Sequence, residues 1–303
     1  MKKILIGGSP CTKWSIANKN RETVSSGEGW ELFKNYCIAK ELFAPDYYFY
    51  ENNVSASKEI KEQIEKELGN KRIEINSSVV SPQNRKRFYV QNIIDNIGEI
   101  SSNSMTIKDI IEENADGITY KMTNIKKNPK VSPFGLKCIG YCGSNSQGNR
   151  VYSINHKGPT LCASAGGKGA KTGLYEINEK IRGLTVREAA RYQTIPEWFQ
   201  FPCSDNQSLK QIGNGWTCKV IELFFKELPK NEEYLVLSMF DGISCGQIVF
   251  SELGYNINKY IAVEIDKKCR ETTKINFPNT IFFNDAFDIR NENSELYKYL
   301  ISL

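Results

Sequence analysis

Cys11 is the residue of this sequence whose type and surroundings best suit covalent chemistry. It follows Pro10 in the segment Gly-Gly-Ser-Pro-Cys, directly after a short apolar run. A cysteine in a glycine-rich turn is exposed and close to backbone N–H groups, which favour the thiolate form. Because a thiolate is a strong nucleophile, we predict that Cys11 bonds covalently to a substrate. The alternative for any single cysteine is an inert thiol.

Charged residues that could assist such a nucleophile follow it at two places. Glu51 comes directly after the aromatic run Tyr47–Tyr50, which predicts a carboxylate at the end of a strand. The segment from Gln83 to Arg87 contains two arginines and precedes another predicted strand. An acid and cationic donors can hydrogen-bond a heterocyclic ring on which negative charge builds. A surface acid and a solvated basic run are the alternatives at these positions.

A second candidate site lies near the C-terminal end of the chain, where three predicted strands end in suitable residues. The strand Leu235–Phe240 runs into a turn that contains Gly242 and precedes a helix. The next two strands end at Glu264 and Asp285. Backbone N–H groups at a helix N-terminus suit a nucleotide, and a carboxylate about 20 residues further on can bind the ribose hydroxyls. We predict an adenosine-type ligand here; an ordinary turn and structural acids are the alternatives.

Strands that alternate with helices surround both candidate sites. The predicted strands are Lys3–Gly7, Tyr47–Tyr50, Arg72–Val80, Phe88–Gln91, Leu235–Phe240, Tyr260–Val263 and Ile281–Phe283. The predicted helices are Trp30–Leu42, Ser57–Leu68, Leu184–Arg191, Thr217–Leu228, Gln247–Leu253 and Lys267–Asn276. This alternation predicts an α/β fold: a Rossmann-like, doubly wound, mostly parallel sheet. Residues 96–180 are richer in Asn, Ser, Gly and Lys and predict a small, loop-rich β domain.

Composition sets broad limits on the class of protein. The 303 residues can form one large domain or two modest ones, and the formal net charge of +5 permits a polyanionic partner without establishing one. No apolar run is long enough to span a membrane, so we expect a cytoplasmic protein. The nine cysteines are scattered. Cys138, Cys142, His156 and Cys162 could in principle bind zinc, but no Cys-x-x-Cys pair occurs, and free thiols are the favoured interpretation.

The motifs taken together resemble the DNA (cytosine-5) methyltransferase family. Phe-Asp-Gly-Ile-x-x-Gly at 240–246 resembles that family's S-adenosylmethionine turn, in the wording of the animal de novo type. Pro-Cys at 10–11, Glu-Asn at 51–52, Gln-x-Arg-x-Arg at 83–87, Arg-x-Leu-Thr-x-Arg-Glu-x-Ala-Arg at 182–191 and Gly-Asn at 213–214 follow one another in the family's order. Two positions depart from the family's pattern. A valine usually follows Glu-Asn directly, whereas here Asn53 lies between Asn52 and Val54. Gly215-Trp216 follows Asn214 where the family more commonly has Ser-Val.

The resemblance implies a role for each matching residue. Cys11 is the implied nucleophile, Glu51 contacts N3 of cytosine, and Arg85 and Arg87 hold the base, with Arg87 at O2. The implied cofactor-binding residues are Pro10, Asn214, Trp216, Phe240, Gly242, Ile243, Glu264, Ile265, Asp285 and Ala286. The implied DNA-binding residues are Ser15, Gln83 and Thr160. The polar segment from Ser9 to Gly29 resembles the loop that closes over a flipped base.

The resemblance further implies the reaction and its partners. The methyl group of S-adenosylmethionine would pass to C5 of a flipped cytosine in double-stranded DNA through a Cys11–C6 adduct, leaving S-adenosylhomocysteine. No metal is implied. We expect a monomer, and whether a cognate restriction endonuclease accompanies it stays open. The alternatives are methylation of cytosine in RNA of the transfer-RNA type and a catalytically silent DNA-binding regulatory paralogue.

The order of the two halves indicates a circular permutation. The family usually presents the cofactor turn first and the cysteine second, whereas here Cys11 comes first. We therefore predict a catalytic domain in two parts, residues 1–95 with the nucleophile and 181–303 with the cofactor site. Residues 96–180 would form the target-recognition domain between them. Termini at a surface connection leave every strand pairing intact.

Overall fold

The computed structural model describes residues 1–16, 18–98, 100, 103–115, 118–125, 130–133, 135–163 and 167–303. The chain divides into two compact units. Unit 1 comprises residues 1–75, 86–98 and 221–303, and unit 2 comprises residues 76–85 and 99–220. Parts of the predicted target-recognition domain lie outside the described residues.

Unit 1 contains a seven-stranded sheet with the order β12-β11-β10-β1-β2-β4-β3. Its strands are β1 (Lys2–Gly7), β2 (Tyr47–Asn53), β3 (Ile73–Asn76), β4 (Lys86–Gln91), β10 (Glu233–Met239), β11 (Asn256–Val263) and β12 (Ile281–Phe283). The five strands from β12 to β2 pair in parallel, and β4 pairs with β2 in the antiparallel direction. The predicted Rossmann-like, mostly parallel sheet is confirmed.

Helices follow the strands of unit 1 as the alternation of the sequence predicts. They are α1 (Glu28–Phe43), α2 (Lys58–Leu68), α6 (Cys245–Glu252), α7 (Lys267–Asn276) and α8 (Glu295–Ile301), and α5 (Cys218–Phe225) ends in this unit. In α2 the Ser57 hydroxyl accepts the N–H of Ile60, and the buried residues Ile60, Ile64 and Leu68 recur at helical spacing. Among the described residues, no helix is long and apolar enough to cross a membrane.

Unit 2 contains a five-stranded sheet with the order β5-β6-β7-β8-β9. These strands are β5 (Asn124–Ile125), β6 (Cys138–Tyr141), β7 (Arg150–Ser153), β8 (Leu174–Ile177) and β9 (Lys180–Arg182). Helices α3 (Val186–Tyr192) and α4 (Asp205–Asn214) follow the sheet in sequence. Helix α3 begins with a capping box, in which Thr185 is the N-cap and Glu188 is its partner.

Residues 181–220, which are predicted to belong to the catalytic domain, fall in the same compact unit as residues 99–180. A buried ion pair explains this grouping. Arg182 lies 2.7 Å from Glu188, and both side chains are almost fully buried. Glu188 also accepts the N–H of Glu112 (2.8 Å), so that α3 is tied to the segment before the five-stranded sheet. A buried charge is stable only with such partners, so Arg182, Glu188 and the main chain of Glu112 stay together. The domain boundaries proposed from sequence remain a prediction.

One predicted strand ends earlier than expected, and one helix of the structure was not predicted. The predicted strand Arg72–Val80 ends at Asn76, where the Asn76 side chain accepts N–H groups from Ser78 and Arg85 and turns the chain into a 3₁₀ turn. Helix α4 was not predicted. Most of its buried residues are polar or glycine, so that the apolar spacing typical of a helix is missing from its sequence.

Candidate active site

Strands β1 and β10 are parallel neighbours in the sheet of unit 1, with Gly7 opposite Met239. From β10 the chain continues through α6 to β11, whereas from β1 it continues through α1 to β2 on the other side. The winding direction therefore changes between these strands, and ligands bind beyond the carboxyl ends of strands at such a point. Cys11 follows β1 and the glycine turn follows β10. The two candidate sites thus lie at the same edge of the sheet.

A buried hydrogen-bond network holds the turn that leads to Cys11. The hydroxyl groups of Ser9 and Tyr50 lie 2.7 Å apart, and the Asn52 amide donates to the Ser9 carbonyl oxygen and to the Tyr50 hydroxyl, each at 2.9 Å. All three side chains are buried. Cys11 follows as the first residue of a short 3₁₀ turn and is half-buried. Because breaking buried hydrogen bonds is costly, the network fixes the turn before Cys11 against β2.

Glu51 lies in β2 beside this network and pairs with Arg87 of β4. Arg87 Nε is 2.9 Å from Glu51 Oε1, and the two side chains are only 12% and 13% exposed. A Cβ atom on Gly8 would lie 2.6 Å from the Glu51 carbonyl oxygen and 3.1 Å from Oε2. Glycine is therefore required for this close approach. The carboxylate is held between a guanidinium group at Oε1 and the turn before Cys11, which lies closer to Oε2.

The segment after Cys11 is anchored at several points. Trp14 is fully buried in the core of unit 1. The Lys13 ammonium lies 2.6 Å from the Glu28 carboxylate, and Glu22 accepts the N–H of Gly29 at the start of α1. These contacts describe a conformation in which the predicted closing loop is packed against its own unit. Ser15, a predicted DNA contact, is half-buried there.

The turn after β10 has an unusual backbone. Phe240, Gly242 and Ser244 have φ angles of 59°, 62° and 58°. Glycine adopts such angles readily, whereas an aromatic residue such as Phe240 does so at a cost, and such strain is concentrated at functional sites. Ile243 is buried, and Phe240 and Gly242 are half-buried. The predicted cofactor turn is therefore held in one particular conformation by its surroundings.

Acidic side chains follow the neighbouring strands β11 and β12. Glu264 accepts the N–H of Gly242 at Oε2 (2.8 Å) and the N–H of Asp266 at Oε1 (2.7 Å). Desolvation raises the pKa of Glu264 above its ordinary value. Asp285 accepts the N–H of Phe287 (2.9 Å). Glu264 thereby connects β11 to the glycine turn, and each of its oxygens keeps a lone pair for a ligand hydroxyl.

Exposed apolar side chains lie next to these acids. Ile265 is 69% exposed and Phe287 is 40% exposed, although Ala286 between the acid and Phe287 is buried. Large exposed apolar residues beside hydrogen-bonding groups are typical of a ligand site. A strained glycine turn, an acid that can bind hydroxyls and apolar surface for a purine ring together fit the predicted adenosine-type ligand. Pro10, from the nucleophile turn, is exposed at the same edge of the sheet.

Asp241 lies in the same turn, and its sequence context predicts no role for it. Its carboxylate accepts hydrogen bonds from the hydroxyl groups of Tyr260 (2.8 Å) and Ser244. Desolvation raises its pKa from 3.8 to about 6, and the nearby Glu264 carboxylate acts in the same direction. No sequence pattern predicts this raised pKa, because the pKa depends on how deeply the fold buries the carboxyl group.

Replacement of Asp241 with asparagine is expected to stabilise the protein above pH 6 and to have little effect near pH 4. The pKa of this carboxyl group is higher in the folded state than in the unfolded state, so the folded state binds its proton more tightly. The free energy of unfolding of the native chain therefore falls as the pH rises from about 4 to about 6, on the order of 3 kcal/mol in all. The melting temperature measured at both pH values tests this, with Asp288→Asn at an exposed position as the control. A difference between the variants that does not change with pH would contradict the expectation.

Gln83 and Arg85 lie in unit 2, and both are buried. The Gln83 amide donates to Gln193 Oε1 (2.9 Å) and to the Tyr192 carbonyl oxygen (3.2 Å), and it accepts the N–H of Leu161 (3.0 Å). A DNA contact by Gln83, as predicted, would require these internal hydrogen bonds to break. Burial thus favours a structural role for this side chain.

The Arg85 guanidinium donates to the carbonyl oxygens of Leu161 (3.1 Å), Gly213 (3.2 Å) and Gly215 (3.0 Å). It therefore orders the main chain on both sides of Asn214, which is exposed. In this conformation the guanidinium of Arg85 positions the main chain and does not reach outward to contact a base. Trp216, the other predicted cofactor residue of unit 2, is half-buried.

Thr160 is half-buried and its hydroxyl donates to the Asn84 carbonyl oxygen (2.6 Å). The predicted phosphate contact by this side chain therefore competes with an internal hydrogen bond. Among the residues that the structure describes, no group of three or more His, Cys, Asp or Glu side chains could hold a metal ion.

A protein-family model, described as C-5 cytosine-specific DNA methylase, matches residues 1–230. This match covers more than half of the chain. The chain belongs to the C-5 cytosine-specific DNA methylase family. The order of motifs from Pro10-Cys11 to Gly213-Asn214 that indicated the resemblance lies within the matched residues.

Relatives of this chain are similar to it over parts of their length. The type II methyltransferase M.HhaI of Haemophilus parahaemolyticus is 39% identical over 84 residues, which is 28% of this chain and 26% of the relative. The type II methyltransferase M.AplI of Arthrospira platensis is 25% identical over 226 residues, which is 70% of this chain and 64% of the relative. The chain thus spans less than two thirds of each of these relatives.

A solved structure shows the same fold. The Entamoeba histolytica methyltransferase EhMeth has a TM-score of 0.51 to this chain at 14% identity, over 75% of this chain and 78% of the other. At that level of identity the likeness concerns the fold alone.

Proposed function

We propose that the protein transfers a methyl group from S-adenosylmethionine to C5 of cytosine in double-stranded DNA. The observation that carries the proposal is the convergence of Cys11, the Glu51–Arg87 pair and the glycine turn at the carboxyl edge of one sheet. Membership of the C-5 cytosine-specific DNA methylase family supports the choice of base and substrate. The type II methyltransferase relatives make a cognate restriction endonuclease a plausible partner.

The cofactor would occupy the edge formed by the turn after β10 and the ends of β11 and β12. Glu264 would accept the ribose hydroxyl groups, Asp285 would hydrogen-bond the adenine edge, and Phe240 would pack against the adenine ring. Ile265 and Phe287 offer apolar surface at the same place. When bound, S-adenosylmethionine supplies the methyl group that C5 receives.

The residues beside the cofactor site would activate the cytosine. The Cys11 thiolate adds to C6 of a base that has been flipped out of the duplex, and this addition makes C5 nucleophilic. Glu51 hydrogen-bonds N3 while Arg87 contacts O2, so that the charge building on the ring is stabilised. Formation of the C5–methyl bond would break the methyl–sulfur bond of the donor and leave S-adenosylhomocysteine. Transfer of the C5 proton to water and departure of the Cys11 thiolate from C6 would then restore the aromatic ring.

The experiment that tests the proposal is incubation of the protein with unmethylated DNA, or with RNA, and labelled S-adenosylmethionine, followed by digestion to nucleosides. We expect label in 5-methyldeoxycytidine. Label in RNA alone would assign the protein to the RNA branch. Binding of both cofactor and DNA without any label, over a library of target sequences, would favour the regulatory paralogue.

The order of elements supports a circular permutation. Strand β1, which leads to Cys11, precedes β10, β11 and β12 in the chain, although it lies beside β10 in the sheet. Joining the two ends would restore the order in which the cofactor turn precedes the cysteine. A variant in which Leu303 is linked to Met1, with new termini in the connection around residues 229–232, should fold and methylate if the proposal is right.

The charge of unit 2 supports DNA as the substrate. Residues 117–175 contain no Asp or Glu and nine Lys or Arg residues. Two segments of this stretch are joined where the Gly169 N–H donates to the Gly148 carbonyl oxygen and the Lys168 N–H donates to the Asn149 side chain (2.9 Å). Arg150 and Lys171 lie within a few residues of this junction in sequence. Clustered cations without neighbouring acids attract the phosphate backbone of DNA.

Replacement of Arg150, Lys168 and Lys171 with glutamine is expected to weaken DNA binding and its salt dependence. Within the described residues none of the three forms an ion pair, so each cation is available to a phosphate. The slope of log K against log salt concentration should become shallower by about 2 to 3. Measurement of DNA affinity at several salt concentrations tests this, with Lys66→Gln on the exposed face of α2 as the control. An unchanged slope in the triple variant would remove this cluster from the DNA surface.

A further inference from the structure

The side chain of Lys157 in unit 2 ends in a cage of oxygen atoms. Its ammonium group lies 2.8 Å from the Ser78 carbonyl oxygen, 3.0 Å from Asn103 Oδ1 and 3.2 Å from the Met105 carbonyl oxygen. The carbonyl oxygens of Ser81 and Asn103 lie at 3.4 Å. Five oxygens from two chain segments, around residues 78–81 and 103–105, thus surround one nitrogen. An ammonium group has three N–H donors, and all of them have partners here.

These five oxygens are all uncharged. Within the described residues Lys157 forms no ion pair, and burial lowers the pKa of its ammonium group. Most lysine ammonium groups remain in water, because desolvation of a charge costs free energy that only good hydrogen bonds recover. A ring of carbonyl and amide oxygens around a dehydrated cation is also how proteins hold potassium. The cage therefore has the chemistry of a site for a monovalent cation.

The cage lies next to the main-chain contact that orders the Gln-x-Arg segment. Gly158 donates its N–H to the Pro82 carbonyl oxygen (2.9 Å) and accepts the N–H of Asn84 (3.0 Å). Ser78 and Ser81, which supply two of the cage oxygens, immediately precede that segment. The Lys157 ammonium group at Ser78 and the main chain of the next residue, Gly158, at Asn84 thus hold both ends of the stretch from Ser78 to Asn84.

We infer that the Lys157 ammonium is a built-in monovalent cation that positions residues 78–85 for the reaction, and that a chain lacking it binds an external alkylammonium ion at the same site. The positioning part rests on the proposed function, since it acts through Arg85 and the main chain around Asn214. Lys157 is therefore a positioning residue. Removal of its ammonium group leaves the five oxygens without a donor and loosens the segment.

The test uses Lys157→Ala, which removes the three methylene groups and the ammonium that n-propylammonium would restore. In sodium chloride we expect the melting temperature to fall by about 5 °C. Methyl transfer to DNA is expected to fall roughly 10- to 100-fold. Replacement of the sodium by n-propylammonium at equal ionic strength should recover most of both losses. Lys180→Ala removes an exposed lysine of the same unit and should show neither the losses nor the recovery.

A second variant keeps the test decisive if the alanine variant does not fold. Lys157→Met fills the space without supplying a donor, so it should fold, lose activity, and gain nothing from n-propylammonium. Losses that are the same in sodium and n-propylammonium for the alanine variant would overturn the cation site. A recovered melting temperature with unrecovered activity would overturn the positioning role. Since the melting temperature needs no methyl transfer, the cation site can be judged even if the native chain modifies no DNA.

Discussion

Serine in place of Cys11 is expected to abolish methyl transfer while binding of S-adenosylmethionine and DNA is retained. The proposed reaction begins with the addition of a thiolate to C6, and a serine hydroxyl is almost wholly protonated at neutral pH and a far weaker nucleophile. Loss of a nucleophile with no substitute costs on the order of 10⁴-fold or more in rate. Since Cys11 lies in a turn held by Ser9, Tyr50 and Asn52, the substitution should leave the fold intact. Labelled methyl transfer and separate binding measurements provide the two readouts.

Cys37 offers a matched control for this substitution. It is half-buried in α1, and desolvation raises the pKa of its thiol to about 12, so it is protonated at neutral pH. Cys37→Ser should therefore retain the methyl-transfer rate within a few-fold, whereas Cys11→Ser should not. Unchanged turnover in Cys11→Ser would remove Cys11 from the chemistry. Loss of binding together with turnover would show that the serine variant had disturbed the turn, and Cys11→Ala would then separate the two effects.

Replacement of Glu51 with glutamine is expected to reduce the rate at saturating DNA by about 10²- to 10⁴-fold. Glutamine is nearly isosteric and can still accept a hydrogen bond from Arg87 Nε, but it carries no charge and cannot hand a proton to N3. Oε2 is the oxygen nearer Gly8 and the turn before Cys11, and its replacement by an amide nitrogen is the change that we expect to matter most. The measurement is the single-turnover rate of methyl transfer, with affinity for DNA determined separately.

Glu74 provides the control for the loss of an acid–arginine pair. Arg72 Nε lies 3.2 Å from Glu74 Oε1 in a more exposed setting, so Glu74→Gln removes a comparable ion pair of the same unit away from the proposed site. It should leave the rate unchanged. A double-mutant cycle between Glu51→Gln and Arg87→Met then measures how far the two residues act as one group. Additive losses would mean that Glu51 and Arg87 contribute to the reaction independently, so that the ion pair between them does not couple their effects.

Much of the fold follows from local patterns. The helix Lys267–Asn276 and the strand Ile281–Phe283 have the predicted bounds, and the side chains of Ser57 and Thr185 cap their helices. These elements are predictable because hydrophobic periodicity and capping act over a few residues. Helix α4 was missed because its buried face is polar, and β4 could not be assigned a direction because pairing is decided by non-local contacts.

The candidate site divides in the same way. Cys11, Glu51, Glu264 and Asp285 were recognisable by residue type and by their place after apolar runs. The sequence did not show the environment of each side chain. It did not show that Arg87 pairs with Glu51, that Gln83 and Arg85 are buried, or that the pKa of Asp241 is raised. Burial and partner choice come from segments far apart in sequence, and no spacing rule encodes them.

By itself the sequence determined the class of fold and the family. It also determined the candidate residues for nucleophilic attack, for hydrogen-bonding a base and for binding a nucleoside, because these depend on residue type and local order. Tertiary structure decided which of them meet. Cys11 and the glycine turn come together because β1 and β10 pair in parallel at the point where the winding direction changes. Tertiary structure also decided that the ammonium of the half-buried Lys157 lies among five oxygens. Such a cage forms only when two segments distant in sequence fold around the same side chain.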